Sequence, residues 1–471
     1  MELNSQPVRT GPLLAILSGA PFVASLDLFV VNVAFGDIAK SFPGHSLGEF
    51  SWILNGYAIV YAALLIPLGR WADRIGPKRA FIAGLALFTL ASAACAFSPS
   101  LWMLVAFRIV QAIGAAALTP ASLGLLINAL PAAKRQSGVR IWAAAGAAAA
   151  AFGPVVGGIL VEASWHWVFL INLPIGIALL YFAVRLVPDV AEKDPDAGID
   201  LVGAALLIFG IGALALALVQ GPDWGWTDPR IIVAFALAAI TLITFWWSNS
   251  RHAAPLIAPD LLKVRTFTWS NITAILFSAT FAAGLLANIM WLQEVWGYSA
   301  LRTGLAVAPG PMMVPLFAIA GGALTRKYSA GRVAALGSAF WAVGTLLVLL
   351  SVGTTPNYAV ELLPGWIIAG IGVGLALPTI LSQATADLPA ARSATGSAVV
   401  SMSRQIGTVL GVSVLIAVLG AAVDYETFRQ AWWIIFAIAL VSAVASLGMT
   451  PAPPSLTPGD TPSGVIVSEK R

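Results

Sequence analysis

Charge is what this sequence has least of. Only 10% of its 471 residues are Asp, Glu, Lys or Arg, while 59% are hydrophobic. A water-soluble domain carries about 25% charged residues, because a dispersed surface needs them. A soluble fold is therefore excluded, however many domains it is divided into. Cysteine is almost missing too. Cys95 stands alone in an apolar run, so neither an intramolecular disulfide nor a thiolate cluster can form. The three histidines, His45, His166 and His252, lie far apart at segment edges, which is no metal-ligand spacing. The loops offer no His/Asp/Glu cluster of the kind a membrane-embedded enzyme requires, and no rings of polar residues for a channel. The net charge of +4 comes from basic residues scattered among short connections, which suits loops beside anionic lipid and not nucleic acid. The start of the chain is short and polar without the pattern of a cleavable signal peptide, and no lipidation motif is legible.

What the chain has in abundance is apolar runs. A helix needs about 20 mostly apolar residues to cross a ~30 Å hydrocarbon layer. Fourteen such stretches are separated by turn residues and charges: 13–35, 51–68, 80–97, 101–127, 141–161, 167–184, 201–219, 231–247, 269–292, 304–324, 333–352, 362–381, 398–423 and 431–449. Cytoplasmic loops collect Lys and Arg. With the N-terminus placed inside, 19 of the 25 basic residues fall in inner connections and only four, Lys40, Arg230, Arg302 and Arg429, in outer ones. Both termini are expected in the cytoplasm. Tryptophans 52, 102, 165, 167, 224, 226, 246, 247 and 432 lie near span ends, where amphipathic rings favour the interface. The expected organisation is an all-α membrane protein. It has a cytoplasmic N-terminus (1–12), six spans (13–187), an acidic loop with two spans (188–265), six further spans (266–450) and a disordered Pro/Ser/Thr/Gly-rich tail (451–471).

Ionisable groups inside spans are expensive, about 2.5–3.5 kcal/mol each at the bilayer centre on insertion scales. Asp27 in the first span and Arg108 in the fourth stand out. Counted from the expected outer ends, they lie about 12 Å and 10 Å deep at ~1.5 Å per residue, on antiparallel helices. A direct or water-mediated pair follows. Burial favours a neutral carboxyl and a guanidinium favours an ionised one, so a small rearrangement can load or release a proton. The same two residues also fit a fixed ion pair that only orders packing. Gln111, one turn from Arg108, shares its face. Arg404 in the thirteenth span fits either a cavity wall or a side chain snorkelling to the inner surface. Asp37, Glu162, Glu294 and Glu361 fall at outer helix ends, where hydration is cheap.

Four motifs add specificity. The connection after the second span runs Gly69-Arg-Trp-Ala-Asp73-Arg74-Ile-Gly76-Pro-Lys78-Arg79. Its glycines permit a tight turn and its basic residues hold the turn at the anionic leaflet. This spacing resembles the signature loop of the major facilitator superfamily. Leu26-Asp27-Leu-Phe-Val-Val-Asn32-Val-Ala34 resembles the first-helix motif of its fourteen-span drug:proton antiporters. Arg108-Ile-Val-Gln111-Ala-Ile-Gly114 resembles their fourth-helix motif, and Gly153-Pro154-Val-Val-Gly157-Gly158 the fifth-helix antiporter motif. Trp165 to Pro174 is similar to the same subfamily, and the likeness runs from about residue 13 to 449. Departures include Phe29 for a usual threonine, Phe35-Gly36 for Leu-Pro, and Ala112 for glycine. The tenth span lacks the acid carried by relatives that export divalent organic cations. Gly370-Ile-Gly372-Val-Gly374 mimics a dinucleotide fingerprint, but it lies in an apolar span with no strand before it and reads as helix packing.

The resemblance implies two six-helix halves rocking about a midplane site, driven by the proton gradient and needing no cofactor. The implied activity is export of lipophilic small molecules through the bacterial cytoplasmic membrane by a monomer. A dedicated exporter of one endogenous metabolite is the alternative. Asp27 and Arg108 would couple protons. Asn32, Trp52, Asn55, Tyr57, Gln111 and Arg404 would line the substrate cavity, Trp52 serving equally as an interfacial anchor. Gly69 to Arg79 would form the conformational loop. The Gly153-Pro154/Gly157-Gly158 run would act as a hinge or as close packing.

Overall fold

A computed structural model describes residues 10–188, 198–389, 392–420 and 424–450; the expected disordered tail lies outside them. Fourteen helices are long and apolar enough to cross a membrane: α1 (Thr10–Ser41), α2 (Leu47–Ile75), α3 (Pro77–Ala96), α4 (Leu101–Ala129), α5 (Ser137–Ala163), α6 (Trp167–Leu186), α7 (Leu201–Trp224), α8 (Pro229–Arg251), α9 (Arg265–Val295), α10 (Ala300–Leu324), α11 (Ala330–Ser351), α12 (Leu363–Ala386), α13 (Thr395–Leu419) and α14 (Tyr425–Leu447). No strand occurs among the described residues. The chain is a multi-pass membrane protein. An even number of crossings returns it to the side on which it began, here called the terminal face. Ser329 at the start of α11 bonds Thr450 there, Oγ to Oγ1, at 3.3 Å.

Local signals set the turns. Before α2, the Ser46 hydroxyl accepts from the Glu49 amide at 3.2 Å and the Glu49 carboxylate accepts from the Ser46 amide at 2.9 Å, a reciprocal cap. Ser100 caps α4 and Asp200 caps α7 with the side-chain oxygen alone, each accepting one backbone amide. Between α2 and α3 the chain turns on Gly76 at φ +99°, a conformation L-residues avoid, and Pro77 starts the next helix.

Packing repeats itself. In the first group α1 lies on α5, α3 on α4, α2 on α4 and α3 on α6; in the second, α9 lies on α13, α11 on α12, α10 on α12 and α11 on α14. Each pair of the first group recurs eight helices later, so two six-helix groups share one plan. They meet along two seams, α2 with α13 and α5 with α10, which are each other's counterparts under the same relation. The additional helix α7 breaks the symmetry. It lies only on the α2–α13 seam, burying Ala204, Leu207 and Ile211 with Ala58, Ile59, Val399 and Met402. Helix α8 packs on α7 and turns Ile232, Val233, Ile240 and Ile243 outward to lipid.

The Gly370-Gly372-Gly374 run is packing on two sides. A Cβ on Gly372 would stand 2.5 Å from the Gly337 carbonyl, and one on Gly374 would stand 2.7 Å from Phe317. The tryptophan expectation needs correction at two positions. Trp102, Trp167, Trp226, Trp246 and Trp247 are exposed at span ends, but Trp165 and Trp432 are buried, Trp432 between Trp291 and Phe428.

Candidate functional site

The deepest polar cluster lies wholly inside the first helical group, where α1, α3, α4 and α6 converge. Asp27, Ser92, Arg108, Gln111 and Asn172 are all fully buried. Arg108 donates from one terminal nitrogen to an Asp27 oxygen and to Gln111 Oε1, the latter at 2.7 Å; its Nε donates to the Ile53 carbonyl at 3.3 Å. The other Asp27 oxygen accepts from Gln111 Nε2 at 2.9 Å and from Asn172 Nδ2 at 3.0 Å. Ser92 closes the ring. Its hydroxyl accepts from Gln111 at 3.1 Å and Asn172 at 2.9 Å, and donates to the Phe169 carbonyl at 3.0 Å. Tyr57 covers the guanidinium, its ring centroid 4.2 Å from Cζ. Three donors on one carboxylate suit an acceptor-only group. The pair is sealed from solvent and lipid alike.

Helix lengths explain why a depth count from span ends was only approximate. Helix α1 continues to Ser41, six residues past the expected end at 35, so Asp27 stands twice as many residues from its helix end as Arg108 does from Leu101. The two meet nonetheless. Ser92 was not anticipated, and Asn172 appeared only within a resemblance. The available signal was the same for both: a hydrogen-bonding side chain inside an apolar span. Asn172 reaches the cluster because α6 breaks at Ile171 between Trp167–Leu170 and Asn172–Leu186, just before Pro174, whose nitrogen cannot donate.

Three of the expected cavity residues, Tyr57, Gln111 and Asn55, are buried. Tyr57 and Gln111 belong to the sealed cluster and line no open space. Asn55 is buried in the α2–α13 seam, donating to Ser413 at 3.2 Å. Asn32 turns back on its own helix, donating to the Leu28 carbonyl at 2.7 Å. Trp52 is half-buried, packed against two apolar clusters. Arg404 is not near a helix end. It sits within a turn of the middle of α13, deeper than the expected span start at 398 implied.

The two motif regions have distinct geometry. On the terminal face Asp73, Arg74 and Arg79 are exposed, Gly69 lies against Pro120, and Lys78 donates to the Val184 carbonyl at 3.2 Å. Arg70, in the last turns of α2, forks onto the carbonyls of Gly198 at 3.1 Å, Ala254 at 2.6 Å and Pro255 at 2.9 Å. These residues flank the additional pair α7–α8, which is thereby tied to α2. In α5, the Gly153-Pro154/Gly157-Gly158 run fills the gap between α1 and the second group. A Cβ on Gly157 would lie 3.1 Å from Val30, one on Gly158 2.7 Å from the Ala300 carbonyl, and Gly304 rests on the Pro154 carbonyl.

Those contacts, with Gln293 donating to the Val33 carbonyl at 3.0 Å, join the two groups on the side away from the termini. Gln293 reaches across because α9 ends in a wide turn at Trp291–Val295. Toward the terminal face, α4 makes no extended packing with α12 or α13 among the described residues. The counterpart of the charged cluster in the second group carries no charge. There Trp341, Trp366 and Trp432 surround Asn288, whose Oδ1 accepts from Trp432 at 3.2 Å.

Comparison with known proteins agrees with this plan. The Major Facilitator Superfamily profile matches residues 17–412 and 273–469. The methylenomycin A resistance protein of Bacillus subtilis is 32% identical over 416 residues, covering 85% of this chain and 86% of its own. The multidrug resistance protein Stp of Mycobacterium tuberculosis is 32% identical over 88% of this chain and 76% of its own, and the multidrug export protein EmrB of Escherichia coli 30% over 84% and 78%. Among solved structures, a POT family transporter in complex with 5-aminolevulinic acid superposes with a TM-score of 0.70, at 18% identity, covering 96% of this chain and 98% of that one. A full-length profile match, fourteen crossings in two repeated groups and these relatives together place the chain in the Major Facilitator Superfamily, among its fourteen-span drug:proton antiporters.

Proposed function

We propose that this protein is a proton-coupled antiporter that exports lipophilic small molecules across the bacterial cytoplasmic membrane. It is a transporter and not an enzyme, as its family and relatives are. The observation that carries the coupling is the sealed Asp27–Arg108 pair with its ring of amide and hydroxyl donors. Asp27 holds the proton in one conformation; in another it is held ionised by Arg108, Gln111 and Asn172. Exchange between the two requires Arg108 to move, and that movement links the proton to the rocking of the halves.

The division at residues 187 and 265 belongs to the same reading, with α7–α8 as an insertion between two mobile halves. The terminal face is the cytoplasmic one, because it holds most of the Lys and Arg. The contacts of Gln293, Gly158 and Gly304 join the halves on the opposite side, which supports a conformation that opens to the cytoplasm, where an exporter collects its cargo. The Asp73 turn and the Gly153–Gly158 crossing are the elements that would shift during the cycle. A monomer suffices, since both seams close within one chain.

The test is pH-gradient-driven transport of a lipophilic dye in proteoliposomes. Asp27→Asn is expected to abolish gradient-driven flux while the protein remains inserted and monodisperse. Undiminished flux in that variant refutes the coupling role.

A further inference from the structure

Among the described residues, three charges stand about two turns or more from a span end: Asp27, Arg108 and Arg404. Asp27 and Arg108 neutralise one another. Arg404 is left over, and the membrane interior carries one net positive charge.

Among the described residues Arg404 has no counter-ion: its guanidinium forms no ion pair and no hydrogen bond with them, and its Nε is sealed without an acceptor. The residue as a whole is only partly buried, so the charged end is open to the space beside it. That space is the seam between the halves. Tyr61, the central residue of α2, is the titratable group close enough to act on Arg404 electrostatically, and its hydroxyl donates to Thr119 of α4 at 3.4 Å. On α13, Val399, Met402 and Val409 pack with α2 and α7, and Ser403 donates to Asn271 of α9 at 2.8 Å, which leaves Arg404 on a separate face of the helix. A charge at membrane depth without a counter-ion is unfavourable, and a guanidinium fork fits a carboxylate in two parallel hydrogen bonds.

From this geometry we propose that Arg404 is the anchor for an anionic group on the exported molecule, so that the preferred cargo is a lipophilic carboxylate or phenolate and not an organic cation. The inference rests on the export reading above and names its substrate class. A cation entering the seam would meet an uncompensated like charge. An aromatic acid would complete the pair and lay its apolar body against the seam. The position also connects to the proton site. Tyr61 stacks on Tyr57, 6.0 Å between centroids at 10°, and Tyr57 covers Arg108. Cargo on Arg404 is thus separated from the Asp27–Arg108 pair by two stacked rings on one helix face.

Three probes with one skeleton separate the possibilities: 2-naphthoate, 2-naphthamide and 2-(aminomethyl)naphthalene. Equilibrium binding to the purified full-length protein is expected to favour 2-naphthoate at least tenfold over the amide, with the ammonium weakest. Arg404→Gln removes the preference, and Arg404→Lys keeps part of it. Equal binding of the three probes by the unaltered protein overturns the proposal without reference to any variant. So does a naphthoate preference that survives in Arg404→Gln, or an Arg404-dependent response to chloride with no discrimination among the probes. Flux keeps the two claims distinct. Asp27-dependent transport of the amide and the ammonium, with no advantage for naphthoate, sinks the anion site and leaves export standing. Naphthoate binding through Arg404 without gradient-driven flux does the reverse.

Discussion

Asn172 directs its amide donors to two acceptors at once, an Asp27 oxygen and the Ser92 hydroxyl, and both are out of reach of water. Net contributions of about 1 kcal/mol per buried hydrogen bond put the loss in Asn172→Ala near 2 kcal/mol, and an ionised Asp27 is left with one donor fewer. The expected outcome is a lower thermal unfolding midpoint in detergent together with weakened gradient-driven transport. A variant with the midpoint unchanged would show that the amide is a bystander. The residue scale is also where sequence reading reached least far. Asp27 and Arg108 were legible because charges in apolar spans are rare. Ser92 and Asn172 were not assigned a role, because a single hydroxyl or amide in a span is common and nothing local says what it faces.

At the scale of elements, the insertion α7–α8 raises the question of which half it follows. Its base is held by Arg70, whose planar fork spans carbonyls before α7 and after α8. Farther along, Gly48 at the start of α2 lies against Val219 and Gln220 of α7. Both of these attachments are to α2, while α7 meets α13 by packing alone, so a pair that travels with the first half would slide on α13. Arg70→Gln is expected to speed hydrogen exchange in residues 252–257 and leave exchange in α3 and α4 unchanged. Arg70→Lys should not restore protection, since a point donor cannot bridge carbonyls on both strands of the chain. Uniform exchange across the three proteins would argue that packing alone holds the insertion. Composition told that two additional helices exist; it held no sign of which residues moor them, because Arg70 looks like one more basic residue in a positive loop.

For the molecule as a whole, the Gly153–Gly158 crossing decides how closely the halves meet away from the termini. A side chain at Gly158 would strike the Ala300 and Leu301 backbone, 2.7 and 2.8 Å from its Cβ, and backbone cannot step aside as a flexible side chain can. Gly158→Val is therefore expected to drive the halves apart on that side. Spin labels at Lys40 and Arg302, both exposed and one in each half, should report a longer distance, by several ångströms, than in the parent. An unaltered distance distribution would mean that the crossing is packing within a rigid seam.

Crossing number and the all-α class were already settled by composition and hydropathy, because a helix crossing lipid must stay apolar for about 20 residues and so stands out as a run. The charged pair was visible for the same reason: a solvent that rejects charge makes each survivor conspicuous. Which helices touch, that two groups of six repeat one plan, that Tyr57 and Gln111 close over the pair while Arg404 stands open at mid-seam, were decided only by tertiary structure. In a nearly uniform apolar chain all helix faces look alike, and the choice among them lies in close contacts between residues far apart in sequence, such as Gly158 on Ala300 or Asn172 on Asp27.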